Sequence, residues 1–251
     1  MRFLVLRLEA PMISFGTTAV DHRRGTQRMP ALSMLTGLIG NALGYRHEES
    51  ARTQRLQERL QFASRQDRAG TELRDFQTVD LGNAQTFPAG AFGWTTRGAP
   101  ERRTGSVSAS THIRERDYLA DAVHTVVVAL EPADEEPTLE RIAEALRRPA
   151  RPLFLGRKCC LPARPLLEGQ LEGESLFEAI RQVPRDRRAD AGPLPAWWPA
   201  AGGQHEDGPT FGKGDRLIPT YDQRDWANQV HAGRRLLRHG TVVPTEAHDG
   251  T

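Results

Sequence analysis

Lysine is almost missing from this chain: of 34 basic residues only Lys158 and Lys213 are lysines, and the rest are arginines. Genomic base composition alone can produce that bias, although guanidinium groups also suit bidentate phosphate contact and stacking on bases. Cysteine is equally scarce. Cys159 and Cys160 are adjacent, and sequence neighbours rarely bridge one another, so neither a disulfide framework nor a zinc site is expected. That pattern points to a reducing, cytoplasmic compartment. No apolar run approaches the roughly 20 residues of a membrane-spanning helix, so no membrane partner is expected. The opening MRFLVLRLEAP carries charge into an apolar run too short for a signal peptide and reads as a strand. There is no H-x-H motif and no paired-carboxylate site, and Gly212-Lys213-Gly214 lacks phosphate-loop spacing. Neither a metal nor a cofactor is expected.

What is present is an α+β pattern in a chain of 251 residues, long enough for one substantial core with attachments. The stretch 24–44, RGTQRMPALSMLTGLIGNALG, is a basic loop feeding a helix. Arg23, Arg24 and Arg28 make the loop cationic, and Ser33 stands where its hydroxyl can cap a helix N-terminus. Leu35, Leu38, Ile39, Ala42 and Leu43 form one apolar face, and Gly44 ends the helix. Free N–H groups preceded by arginines attract anions, phosphate above all, whereas the alternative is an ordinary crossover helix with solvated arginines.

Along the chain, Phe3, Val5 and Arg7 alternate with Leu4, Leu6 and Leu8, as a central strand would. Residues 49–60 read as a helix with a solvated basic ridge of Arg52, Arg55 and Arg59, and two strands flanking Gly70 read as a hairpin. Residues 80–116 lose periodicity. Their glycines, aromatics and arginines read as an inserted arm suited to single-stranded nucleic acid, with a plain surface loop as the alternative. Residues 122–130 are the strongest strand signal, rich in β-branched residues. A helix from Thr138 to Arg148 follows, then 145–164 with six basic residues and no acidic one, holding PLFLGRKCCLPARP. A short strand, a glycine and the Arg157-Lys158 pair there suggest a phosphate nest, with surface charge as the alternative. Residues 175–181 read as a short helix. From 184 to 214, prolines, glycines and Trp197-Trp198 read as an irregular connector, 215–226 as a possible last strand and 233–240 as the end of order. The expected units are a palm of residues 1–183 with the arm at 80–116, then a C-terminal part of 184–251.

The order of these elements approximates a ferredoxin-like, RRM-like RNA-binding core. On FLVLRLEAPMISFG, PALSMLTGLIGNALG, RDFQTV, RERDYLADA and PLFLGRKCCLPARPL, spread over residues 1–167, the chain resembles the repeat-associated (RAMP) superfamily. Within it the likeness is to the subunits that cap the CRISPR RNA in type I-E interference complexes (Cascade). The resemblance implies a subunit that holds the 5′ handle of the crRNA, touches the backbone and large subunits, and inserts a thumb-like arm near the first guide segment, where target DNA pairs. Carried over by motif, the RNA-facing residues are Arg23, Arg24, Arg28 and Ser33, then Arg114 and Arg116, then Arg157 and Lys158. Tyr118 and Trp94 are the stacking candidates, and Trp94, Arg102 and Arg103 belong to the arm.

Two further readings stand beside that one. Relatives in type I-C systems cleave precursor RNA without metal, which needs a general base, an acid and a cation close together. Tyr45, His47, His112 and Lys158 are available, yet nothing in their spacing joins them, so a non-catalytic role is expected. A purely structural subunit that never touches RNA is disfavoured by the acid-free run at 145–164.

Overall fold

The computed structural model describes residues 1–17, 22–80, 92–94, 100–102, 111–200 and 215–245. β1 (Arg2–Glu9), β2 (Met12–Ile13) and β3 (Arg23–Arg24) lead into α1 (Leu32–Leu43) and α2 (Ser50–Arg59). After these come β4 (Leu60–Arg68), β5 (Thr71–Asp80), β6 (Phe92–Trp94), β7 (Pro100–Arg102), β8 (Thr111–Ala120), β9 (Val123–Leu130) and α3 (Leu139–Arg147). The chain continues through β10 (Leu167–Glu172), α4 (Leu176–Gln182), β11 (Leu194–Pro199), β12 (Arg216–Thr220), β13 (Arg224–Asp225), β14 (Val230–His231) and β15 (Arg235–Val242).

The main sheet has seven strands in the order β10-β1-β9-β4-β11-β15-β12. Its middle follows from the sequence. β9 is buried along its whole length, and β1 buries Leu4, Leu6 and Leu8 on one face and Phe3 and Val5 on the other. The first face packs against α1 and α3 through Leu35, Leu38, Ile39, Ile142 and Leu146, and the second against α4 through Ala179 and Ile180. Each buried leucine or isoleucine among these contributes about 1.5–3 kcal/mol by leaving water. Thr138 caps α3 by accepting from the Arg141 N–H, and Ser175 caps α4 by accepting from Glu178.

Several local expectations are corrected. β4 and β5 flank Gly70 but do not pair: β4 belongs to the main sheet between β9 and β11, and β5 pairs with β8 in a second sheet. Gly70, at φ +69°, turns the chain from one sheet into the other where a Cβ would meet the Ala120 carbonyl at 2.4 Å. Residues 194–199 are not a connector. Their alternation places Ala196 and Trp198 in the core, so they form β11, tied to β15 along six residue pairs. Residues 233–240 do not end order either, because β15 runs to Val242 and is itself flanked by β11 and β12.

Arg59 is fully buried and not part of a solvated ridge. Its guanidinium donates to the carbonyls of Pro132 (2.8 Å), Pro137 (3.3 Å) and Glu135. On the other face of the sheet, Arg7 and Arg65 both contact the buried Asp67, and Arg65 also donates to Ile180, Val183 and Pro184 carbonyls at 2.8–3.0 Å. Every charge there has a partner, as a dry interior requires.

Candidate nucleic-acid interface

β8 organises the second sheet. On one side it pairs with β5 through ten consecutive residues, from Thr71 opposite Ala120 to Asp80 opposite Thr111, and on the other it meets β2 and β3. Residues directly across a ladder share a face. The register therefore sorts the charged side chains. Arg24 lies beside Arg116, Arg116 opposite Asp75, Arg114 opposite Gln77 and Tyr118 opposite Leu73, all on one face. Arg23 lies beside Glu115, Arg74 opposite Asp117 and Phe76 opposite Glu115 on the other.

The two faces differ electrostatically. On the second, Arg23 and Arg74 close on Asp117 at 2.9 and 2.8 Å, Arg74 reaches Glu115 at 3.5 Å, and Arg28 pairs with Glu72 at 3.0 Å. Hydrogen bonding from Arg74, with Arg23 adding to it, holds the Asp117 carboxyl below the usual carboxylate range. On the first face Arg24 and Arg116 make no ion pair among the described residues, and the nearby Asp75 is bonded by the Gln77 amide at 2.7 Å. Of the cations grouped by sequence, Arg23 and Arg28 are thus ion-paired on one face, while Arg24 and Arg116 lie on the other beside Arg114 with no carboxylate partner among the described residues.

Arg157 reaches that face from the loop 155–160, where Lys158 is its sequence neighbour. Arg157 lies over the Tyr118 ring with its guanidinium 4.6 Å from the centroid, and donates to the carbonyls of Asp117 (2.9 Å), Arg24 (2.8 Å) and Gly25 (3.3 Å). It ties β3 and β8 together, whereas Lys158 is exposed. Tyr118 is 2% exposed, its hydroxyl 3.4 Å from the Cys159 sulfur; burial, with the thiol adding to it, pushes its pKa up. A ring enclosed this way offers no free face to a base, which corrects its role as a stacking platform.

The loop is positioned by its backbone. No strand precedes Gly156: Leu155 accepts from the Ser14 N–H at 3.1 Å and donates to the Cys160 carbonyl at 2.8 Å, closing a turn. Gly156 sits at φ +97°, where a Cβ would lie 1.6 Å from the Ser14 carbonyl oxygen. Only glycine permits that contact.

The N-terminus of α1 is already filled. Ala31, not Ser33, is the N-cap and makes no side-chain bond. The Leu32 N–H donates to the Asp222 carboxylate at 2.8 Å and the Ser33 N–H to the Asp222 carbonyl at 3.0 Å. Arg235 pairs with the same carboxylate at 2.6 Å and stacks over Phe62. The protein supplies its own anion where the sequence suggested a phosphate.

A family model described as CRISPR-associated protein (Cas_Cas5) matches residues 3–238. The chain belongs to the Cas5 family. It is 31% identical over 186 residues to the CRISPR system Cascade subunit CasD of Escherichia coli (strain K12), covering 71% of this chain and 75% of that one. A solved structure described as a CRISPR RNA-guided surveillance complex contains a chain 25% identical, with a TM-score of 0.64, covering 98% of this chain and 95% of its own. Another, described as a crystal structure of a Cas protein, shares the fold at 23% identity and a TM-score of 0.58 over 96% and 97% of the two chains. The mixed α+β architecture with mainly antiparallel sheets is thus that of the Cas5 fold.

Within this Cas5 chain, Trp94 and Arg102 fall on the backbone of the β6–β7 pair, and Arg103 lies outside the described residues. No helix among the described residues is long and apolar enough to cross a membrane, and no cluster of three metal-ligating residues occurs among them. Asp222 escaped the sequence reading because its partner, the start of α1, lies 190 residues away, and Arg235 followed because its role is to pair with Asp222.

Proposed function

We propose that the chain is a non-catalytic crRNA-binding subunit of a type I-E CRISPR interference complex, holding the 5′ handle and supporting guide–target recognition in antiviral defence in the cytoplasm. The observation that carries this reading is the sorting of cations by β8. Among the described residues Arg24 and Arg116, with exposed Lys158 in the neighbouring loop, have no carboxylate partner on the side where Arg157 clamps the strand, while Arg23 and Arg28 are ion-paired on the other. Guanidinium and ammonium groups of this kind contact phosphates and position RNA without reading its bases. The name of the Escherichia coli relative, a Cascade subunit, supports the same assignment. Its neighbours would be the backbone and large subunits and, through the arm at 80–116 with Trp94, Arg102 and Arg103, target DNA near the first guide segment. Ser33, whose N–H is already bonded to Asp222, and Arg114 would lie at the margins of the handle.

The nuclease alternative is weakened by dispersal. Tyr45 packs under Arg52 with the guanidinium 4.3 Å above its ring, Lys158 lies in the loop beside Tyr118, and no bond joins Tyr45 or His47 to Lys158 among the described residues. The deciding experiment expresses the chain with its neighbouring subunits, sequences the bound RNA, and incubates the purified chain with a repeat-containing precursor. Handle-bearing crRNA should copurify, and Arg24→Ala with Arg116→Ala should strip most of it. An uncut precursor is expected. RNA content unaffected by the double variant, or specific cutting without metal, would overturn the reading.

A further inference from the structure

A groove of about 870 Å³ lies on the α4 side of the main sheet, between β10 and the segment 182–188, with Val5 and the buried Arg7 as its floor. None of the handle-side residues lines it. β10 is the terminal strand: it pairs with β1 on one side and with no strand on the other among the described residues. It therefore presents a row of alternating N–H and C=O groups, the pattern an extended polypeptide matches and a nucleic acid does not.

Two details specify what would fit. Gly169, opposite Val5 in the middle of β10, has room around it, since an added Cβ would meet nothing within 4 Å. A glycine inside a strand that leaves such space marks a place where another chain can approach closely. The charges at the rim are also unequal. Arg164 is matched by Glu9, Glu168 and Asp186, and Arg188 by Glu9 and Asp121. Arg185 instead donates to the carbonyls of Asp190 (2.6 Å) and Gly192 (2.7 Å), and exposed Arg187 makes no ion pair among the described residues. Among the described residues, these two guanidinium groups have no carboxylate partner.

We propose that β10 accepts an extended acidic segment of a neighbouring protein as an added strand. Its backbone lies on the free edge, an apolar side chain fills the space beside Gly169 against Val5 and Leu171, and its carboxylates meet Arg185 and Arg187. The inference rests on the reading that the chain works inside an assembly, but it uses a different surface from the RNA. Hydrogen exchange of 168–172 is compared between the isolated full chain and the purified complex, together with the protein and RNA content of complexes carrying Gly169→Phe or Arg185→Glu with Arg187→Glu. Gly169→Ala, which only begins to fill the space, checks that the strand tolerates a side chain. Exchange of 168–172 should slow at least tenfold on assembly, and both disruptive variants should lose one protein neighbour while keeping their RNA. Unchanged exchange, or a full set of proteins in the Gly169→Phe complex, would overturn the proposal. Loss of RNA together with the neighbour would also overturn it by making this groove part of the RNA site, whereas loss of RNA from Arg24 and Arg116 variants alone concerns only the handle.

Discussion

Asp222 accepts a hydrogen bond from the Leu32 N–H at 2.8 Å, and through that bond the C-terminal third of the chain caps the first helix. The same carboxylate is 1% exposed and holds Arg235 with two contacts of 2.6–2.7 Å. Losing it would remove a helix cap and leave a guanidinium that is largely buried without its partner. Asp222→Ala should cost about 3 kcal/mol, between the range for a cap and that for a broken buried pair. Ser33→Ala should stay within roughly 0.5 kcal/mol, as a substitution that removes no cap. Urea denaturation of the two variants measures both, and equal losses would return the cap to Ser33.

His124 gives the fold an acid limit. It is fully buried on β9, edge-on to Phe15 at 4.9 Å, and burial drives its pKa down to about 3 from an ordinary 6.5. The unfolded chain binds this proton and the folded chain does not, so the stability tied to His124 is full above pH 6.5. It is lost as pH falls toward 3, approaching about 1.4 kcal/mol per pH unit within that window. Stability measured from pH 7 to 4 should fall more steeply for the parent than for His124→Leu. Parallel curves would show that the ring is not held neutral.

The cations flanking β8 should separate into two classes. Lys158→Ala and Arg24→Ala each remove a charge with no carboxylate partner among the described residues, so the slope of log affinity for handle RNA against log salt should become shallower by about 0.7 per residue. Arg23→Ala and Arg28→Ala remove charges already matched by Asp117 and Glu72 and should change that slope far less. Arg157→Ala differs from all four. It releases three carbonyls and a stacked ring, so it should lower stability by about 2 kcal/mol as well as RNA affinity. Filter binding across a salt series, with thermal melts of the same proteins, tests the sorting; a uniform effect of all five would erase it.

Gly156→Ala should be far more damaging than its size suggests. Its Cβ would have to displace the Ser14 carbonyl, a backbone atom that cannot swing aside, from a distance of 1.6 Å. A loss above about 3 kcal/mol, or failure to fold, is expected from strain of this kind. Soluble yield and melting temperature provide the measurement, and a mild effect would mean that loop 155–160 has freedom to move away from β2.

The middle of the sheet was readable because periodicity reports burial. β1, β9 and α3 stand out as apolar alternation, a β-branched run and a capped amphipathic helix. β11 and β15 were unreadable for the opposite reason: prolines flank the tryptophan pair, and arginines punctuate Arg235–Val242, so composition points to irregular chain although the ladders form. The basic residues were visible, but not which of them are ion-paired. That depends on strand register, on Asp117 facing Arg23 and on Arg24 facing the other way, and a one-residue change of parity decides it.

The position of β11 also bears on how the chain reaches this form. β11 lies between β4 and β15, so the second edge of β4 stays open until Leu194–Pro199 has been made, and α1 stays uncapped until Asp222 follows. During synthesis the first half of the protein can gather β1, β4, β9 and α1, but it exposes a strand edge in the centre of the sheet for as long as the remainder takes to emerge. Edges of that kind recruit other chains, and pairings this distant in sequence form late. Protection by a bound neighbour or a chaperone at that stage would govern how much folded protein accumulates more than would the strength of any contact in the finished structure.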